Sequence, residues 1–378
     1  MAENEMTIPD ARYAVVVLGM HRSGTSALAG VLARLGCDTP ADLMPATEDN
    51  AKGFYEALSI SALDDAIFDS AGCNWQSWQG INKGWFRSPK AAEYQEAASD
   101  TLTAAYASSR LIIVKDPRMC LLVPFWHHVF RQNGYAPLYL HTHRDPLEVS
   151  GSLESWTAVS SDRFPGYDPK LGQLLWLRHV LDSEAYTRGK RRHFTSYSLL
   201  INDWSKVVRA TSETLGIEWP SFSERVTEDI HGFLSSGLNH ERARVNAERS
   251  SLSYLPWVAE TFKIMERWSN EGENPEDYAT LDEIYEDFDK ASPAFSALVE
   301  KGRSDSLSLQ VKAQEEKQTL EKLEAVQAER AELAAQLDAA RAEGTEAQQR
   351  AEQAQQRINE LSGTVEQQQA ERAELAAQ

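Results

Sequence analysis

Cysteine is scarce in this chain: Cys37, Cys73 and Cys120 are the whole complement of 378 residues. An odd, scattered set gives neither a disulfide framework nor the paired spacing of a metal site, and it suits a reducing compartment. Positive charge is also short, with 38 Lys and Arg against 57 Asp and Glu and a net charge of −19. That balance excludes nonspecific nucleic-acid binding and attraction to an anionic membrane surface. Long apolar runs are missing too. The Val-rich stretch Val15–Leu18 is far too short to span a bilayer, and the acidic start Met-Ala-Glu-Asn-Glu-Met-Thr lacks a signal peptide's basic residues. These absences predict a cytoplasmic protein with no stable membrane insertion, no bound metal and no nucleic-acid partner. Beyond Lys301 proline and tryptophan vanish as well, which marks a change of architecture.

What is present suffices for a core: 42% of the residues are hydrophobic, among them 10 Trp, 12 Tyr and 12 Phe. The organising stretch is 14–36. Ala14–Leu18 reads as a strand buried on both faces, and Ala27, Leu28, Val31, Leu32 and Leu35 recur at helical spacing before Gly36. Between them lies Gly19-Met-His-Arg-Ser-Gly-Thr-Ser, a tight strand-to-helix loop. Glycines let its backbone approach a ligand, and the helix N-terminus offers N–H groups and a positive dipole end to an anion. The glycine spacing is that of a nucleotide-triphosphate loop, but Thr25 stands where that motif requires lysine, and the cation is Arg22 inside the loop. ATP or GTP hydrolysis is disfavoured on that ground.

Further strands are expected at Leu111–Val114, at 138–143 and at 193–197, alternating with helices, one of which starts at Asp145-Pro146 and another near Asp203, closed by Gly216. Such alternation predicts an α/β fold, three-layered and P-loop-like, with a mostly parallel sheet flanked by helices. Polar residues at successive strand ends then converge on one crevice. Residues 71–95 carry Trp75, Trp78, Trp85, Phe86 and Tyr94, either lining an acceptor pocket or forming a satellite core. The domain plan is a polar leader at 1–12, one domain over 13–300 and a helical tail over 301–378. In the tail Gln327–Gln336 recurs verbatim as Gln369–Gln378. There Leu333, Leu337, Ala340, Ala347, Ala351, Ala354, Ile358, Leu361, Val365 and Leu375 fall on one heptad seam, interrupted at Gly344, Gln368 and Arg372. A coiled coil serving homo-oligomerisation or a partner protein is expected, a solvated single helix or a disordered tail being the alternatives.

Two stretches carry a family resemblance over roughly residues 12–300. Arg22-Ser23-Gly24-Thr25-Ser26 resembles the 5′-phosphosulfate loop of sulfotransferases that use 3′-phosphoadenosine 5′-phosphosulfate (PAPS), and Arg144 followed eight residues later by Ser152 is similar to that family's 3′-phosphate pair. The resemblance implies that Arg22, Ser23, Gly24, Thr25, Ser26, Arg144 and Ser152 hold PAPS, without a metal. It implies that Lys115, in Lys115-Asp-Pro-Arg, stands beside the sulfuryl group, and that Tyr197 begins a segment like the family's Tyr-Glu-Asp-Leu, with Ser198 replacing the acid. The Lys-Gly loop of the cytosolic small-molecule branch is not evident, so the chain looks closer to the carbohydrate-modifying and bacterial branches.

Carbohydrate and tyrosine members use a glutamate as base on the segment after the first helix, which Gly53-Phe-Tyr-Glu56 matches, and Asp116 is the competing candidate. Arg22 and Lys115 are then the catalytic cations, and the expected acceptor is a hydroxyl on a glycan or small molecule. His21 stands in the loop, where contact with cofactor or acceptor and plain packing are equally open, while His127, His128, His141 and His143 read as structural. Two rival readings remain: a kinase-like enzyme on a degenerate loop, and a non-catalytic nucleotide-binding scaffold acting through its tail.

Overall fold

The computed structural model describes residues 11–47, 50, 52–159, 168–235, 253–342 and 345–377. Residues 1–10 of the leader, Gly344 and the side chains of Ala340 and Ala347 lie outside the described residues, and Arg12 already belongs to the first strand. The chain divides into two compact units, Met1–Leu298 and Val299–Gln378.

The first unit is built on a four-stranded, all-parallel sheet: β1 (Arg12–Leu18), β2 (Leu111–Lys115), β3 (Tyr135–His143) and β4 (Arg192–Ser196), in the order β2-β1-β3-β4. Side chains alternate along β1, so Ala14, Val16 and Leu18 enter one apolar cluster while Val15 and Val17 enter the other. Helices α2 (Leu58–Ser70), α3 (Pro89–Tyr106) and α4 (Met119–Gln132) cover the first face. The opposite face is covered by α1 (Thr25–Arg34), α7 (Tyr197–Asn202), α8 (Trp204–Leu215) and α9 (Glu224–Ser235). This is the three-layered α/β architecture that the alternation of strands and helices predicts. Helices α5 (Pro146–Val159), α6 (Pro169–Thr187) and α10 (Pro256–Glu271) complete the unit.

Several boundaries differ from the sequence expectation for identifiable reasons. Strand β3 starts earlier than 138 and includes Pro137, which has no N–H to donate. Tyr139 N, on the same edge, donates to Arg191 O at 3.0 Å, and β4 pairs only from Arg192 opposite Tyr139. Pro137 therefore sits where β3 runs ahead of its neighbour, and no ladder bond is lost. Strand β4 ends at Ser196, not Tyr197, because the Ser196 hydroxyl accepts from Leu199 N and caps α7. Within 71–95, Trp85 belongs to the core cluster and Trp75, Phe86 and Tyr94 pack against it, so the satellite-core alternative describes most of that stretch.

The second unit holds the end of α11 (Tyr278–Ala342) and α12 (Thr345–Ala377). Glu316 pairs with Arg372 and Glu329 with Arg357, so one helix is read upward while the other is read downward. Leu323, Leu337, Ala351, Leu361 and Val365 are buried between them. The heptad seam thus closes an antiparallel hairpin within one chain, and Arg372, which interrupts the seam by composition, finds an acid across it. Among the described residues no helix is long and apolar enough to cross a membrane.

Candidate active site

The chain leaves β1 toward β2 on one side and later returns to β3 on the other. The loops following β1 and β3 therefore open on either side of the point where the strand order reverses, the crevice in which open α/β sheets bind ligands. The loop after β1 approaches β3 so closely that a Cβ on Gly19 would lie 2.4 Å from Thr142 O, which only glycine avoids. Gly24, the N-cap of α1, has φ +86°, and a Cβ there would lie 2.4 Å from the Tyr197 ring. Arg22 is a non-glycine residue at φ 68°, a strained conformation that the surrounding turn imposes. No side chain caps α1 and no acid stands in its first turn. Its positive end therefore faces the loop, and the fully buried Ser23 hydroxyl has no hydrogen-bond partner there. Orphaned donors around a glycine-shaped cradle fit a phosphate or sulfate group.

The predicted anion-binding residues converge on this crevice. Arg22 Nε donates to Ser152 Oγ on α5 at 2.8 Å, although 130 residues separate them. Arg144, at the end of β3, donates through Nε to Glu148 Oε2 at 2.9 Å, and its guanidinium stands 4.9 Å from the centre of the Tyr197 ring. Tyr197 thus packs on Gly24 and under Arg144, a positioning role that its place in the sequence did not reveal. Thr25 is buried. Ser26 turns toward the β2 side instead, where its hydroxyl accepts from Lys115 Nζ at 3.2 Å and donates to Phe54 O at 3.3 Å.

Lys115 ends β2 with its ammonium buried, donating to Phe54 O at 2.9 Å and to Glu56 Oε1. A turn with Gly53 at φ 86° and Tyr55 at φ 57° delivers Glu56 to this spot, and the Tyr55 hydroxyl accepts from Arg34 on α1 at 3.2 Å. Burial pushes the Glu56 carboxyl above the usual carboxylate range, and the Lys115 charge opposes that rise without cancelling it. Asp116 is equally buried, but both its oxygens accept from Arg118 Nη1 at 3.1 Å, and Oδ1 also accepts from Arg118 N. His21 packs against half-buried Trp75, the ring centroids 4.3 Å apart and the planes tilted by 45°. Burial lowers its pKa well below the ordinary value, and the nearby charge of Arg118 adds to the effect, so the ring is neutral.

Arg118, Asp64 and Asp65 were given no role by the sequence. Arg118 binds Asp65 on α2 at 2.7 Å, and the fully buried Asp64 accepts from Trp126 Nε1 at 2.7 Å. The available signal was an acid at 64 on the apolar stripe of α2 formed by Ile60 and Ile67. Of the four histidines read as structural, His127 meets Tyr139 OH at 2.8 Å and His141 meets Thr187 Oγ1 at 2.9 Å. Among the described residues no group of three His, Cys, Asp or Glu side chains is arranged to hold a metal ion.

No family model matches the chain, and no curated protein sequence is similar to it. Two solved structures align with it. The sulfotransferase domain from the curacin biosynthetic pathway is 14% identical, with 69% of this chain and 98% of that one covered and a TM-score of 0.41. The sulfotransferase domain from the Synechococcus PCC 7002 olefin synthase is 16% identical, with 71% and 99% covered and a TM-score of 0.38. At these scores the likeness carries no functional weight by itself.

Proposed function

We propose that this chain is a sulfotransferase, moving the sulfuryl group of PAPS to a hydroxyl-bearing acceptor with Glu56 as general base. The observation that supports the reading is a convergence of two kinds of site at adjoining strand ends. One is an anion cradle of loop amides, Arg22, Ser152 and Arg144 around the β1–β3 crevice. The other is a buried carboxylate–ammonium pair, Glu56 and Lys115, tied to the same loop through Ser26. A phosphate cradle with threonine at position 25 and a base beside it suits group transfer from a phosphosulfate better than hydrolysis of a nucleoside triphosphate.

The chemistry assigns each group a task. The acceptor oxygen forms a bond to sulfur as the bond from sulfur to the phosphate oxygen breaks, and that oxygen keeps the electron pair. Glu56 takes the acceptor's proton, and burial has raised its proton affinity toward the working range. Lys115 and Arg22 stabilise charge building on the transferring group and on the departing phosphate. Arg22 and Ser152 touch, so the anion sites at the two ends of the cofactor are contiguous, with Arg144 at the outer one. Trp75, half-buried against His21, suits the flat face of a sugar ring or phenol, and an acceptor of the glycan or small-molecule class follows. Three unpaired cysteines fit a cytoplasmic setting. The hairpin of the second unit serves docking rather than chemistry.

Calorimetry with adenosine 3′,5′-bisphosphate and with ATP, followed by a hydroxyl-acceptor screen with labelled PAPS, tests the reading. Binding of the bisphosphate with transfer of label is expected. Binding of ATP alone overturns it.

A further inference from the structure

Glu56 is held by more than its lysine. Arg118 lies in the turn between β2 and α4, where Asp116 Oδ1 accepts its backbone N–H at 2.9 Å and so fixes the start of the side chain. From there Nη1 donates to both oxygens of Asp116, while Nε and Nη2 donate to the two oxygens of Asp65 on α2 at 2.7 and 3.3 Å. The guanidinium is largely out of water, and its Nη1 stands 3.9 Å from Glu56 Oε2. That separation is too long for a hydrogen bond and short enough for a strong Coulomb effect. One oxygen of Glu56 is therefore taken by Lys115, and the other faces a cation without bonding to it.

We propose that Arg118 is the positioning residue of this site: clamped between Asp116 and Asp65, it fixes the Glu56 carboxylate with Oε2 left open to receive the acceptor's proton, and it sets the pH at which that proton is taken. The proposal rests on the assignment of Glu56 as the base. Asp65 is half-exposed on the rim of α2, so the clamp also ties α2 to the β2–α4 turn beside the base.

The charged groups that bear on Glu56 come from every element around it. Lys115 ends β2, Asp116 and Arg118 follow it, Asp64 and Asp65 lie on α2, and His21 lies on the loop after β1. His21 is neutral. Burial drives the Asp64 carboxyl well above the usual range, and Asp116 adds to the effect. The balance on Glu56 is then Lys115 and Arg118 favouring its charge against burial and Asp116 favouring its protonation. For Arg118 itself, burial works against the charge, but Asp116, Asp65, Asp64 and Glu56 outweigh it and keep the guanidinium protonated. Removing the Arg118 charge must raise the pH at which Glu56 ionises. Removing the Asp116 charge must lower it. A purely structural arginine predicts no such opposed pair.

The test reads Glu56 directly in the full-length chain carrying carbon-13 at its glutamate side-chain carboxyls, with the Glu56 resonance identified by its loss in Glu56→Gln. The midpoint in Arg118→Gln is expected to rise by about one pH unit or more, as for loss of an opposite charge at this range. Arg118→Lys, which keeps the charge, is expected near wild type, and Asp116→Asn is expected below it. The acid limb of the pH–rate profile with PAPS and p-nitrophenol should move in the same order. An unmoved or lowered midpoint in Arg118→Gln, or failure of lysine to restore it, overturns the proposal. Should Arg118→Gln not fold, the shape-conserving Asp116→Asn carries the test alone, and an unmoved or raised midpoint there overturns it equally. The resonance needs no turnover, so expected shifts without any PAPS-dependent transfer would count against the sulfotransferase reading and leave the clamp standing.

Discussion

Each unit of this protein contains an acid paired with a base, and the two pairs live in different solvents. Glu56 and Lys115 in the first unit have side chains only 5% and 2% exposed. Glu329 and Arg357 in the second, 3.6 Å apart, are 49% and 52% exposed. The first pair has lost its water, so each charge depends on the other, and burial raises the proton affinity of Glu56. The second pair keeps its water and is screened by salt, so it guides which helix positions face each other and little else. Chemistry is therefore expected only where burial makes charge expensive.

Removing one member of each pair breaks the comparison if it is wrong. Lys115→Met leaves Glu56 buried without its partner, and the cost expected for such an uncompensated charge is about 3–5 kcal/mol, with transfer abolished as well. Arg357→Ala is expected to leave the unfolding midpoint where it was. Denaturant unfolding of both variants decides the matter, and equal losses would dismiss solvent exposure as the controlling variable.

Glu56→Gln sharpens the same point, because it keeps the buried shape and removes proton acceptance. Turnover is expected to fall by roughly 100- to 10,000-fold, the usual worth of a general base. Affinity for adenosine 3′,5′-bisphosphate should survive in calorimetry. Near-normal turnover here alongside an inactive Asp116→Asn would transfer the role to Asp116.

The next effect is smaller and lies at the crevice. On the proposed assignment Arg144→Ala removes a charged donor from a non-reacting phosphate, so bisphosphate binding should weaken by about 10- to 100-fold, from the 1.5–3 kcal/mol typical of charged hydrogen bonds. Turnover at saturating PAPS should hold. Arg22→Ala is expected to lose binding and turnover together, since in the proposed reaction its charge serves the leaving phosphate. Indistinguishable profiles for the two variants would erase the division between an outer and a reacting anion site.

The smallest effect on chemistry belongs to the hairpin. Leu361→Asp puts a charge into the seam, so circular dichroism should report lost helix while bisphosphate affinity stays unchanged. Light scattering should give the same mass before and after, because the seam closes inside one chain. A fall in mass would mean that the helices pair between chains.

The sequence alone determined the elements whose cause is local. The run Ala14–Leu18 is apolar at every position, which suits a strand covered on both faces, and β1 indeed sends alternate residues into the two clusters. Asp145-Pro146 and Asp203 announce helix starts, and Gly216 a stop, because capping and φ preferences act within a few residues. The heptad stripe of the tail is equally local, but a stripe says only that a partner exists. That the partner is the same chain running backward shows only in the tertiary pairs Glu316–Arg372 and Glu329–Arg357. The site depended still more on tertiary structure. Arg22 meets Ser152 across 130 residues because β1 and β3 are neighbours at the point where strand order reverses. Glu56 meets Lys115 because β2 flanks β1 and a left-handed turn at Tyr55 lays the following residue over the end of β2. Motif spacing named the residues that could carry charge. Which of those charges would be stripped of water was fixed only when α2 and the β2–α4 turn packed around them, because desolvation is a property of the assembled surroundings and not of any stretch of chain.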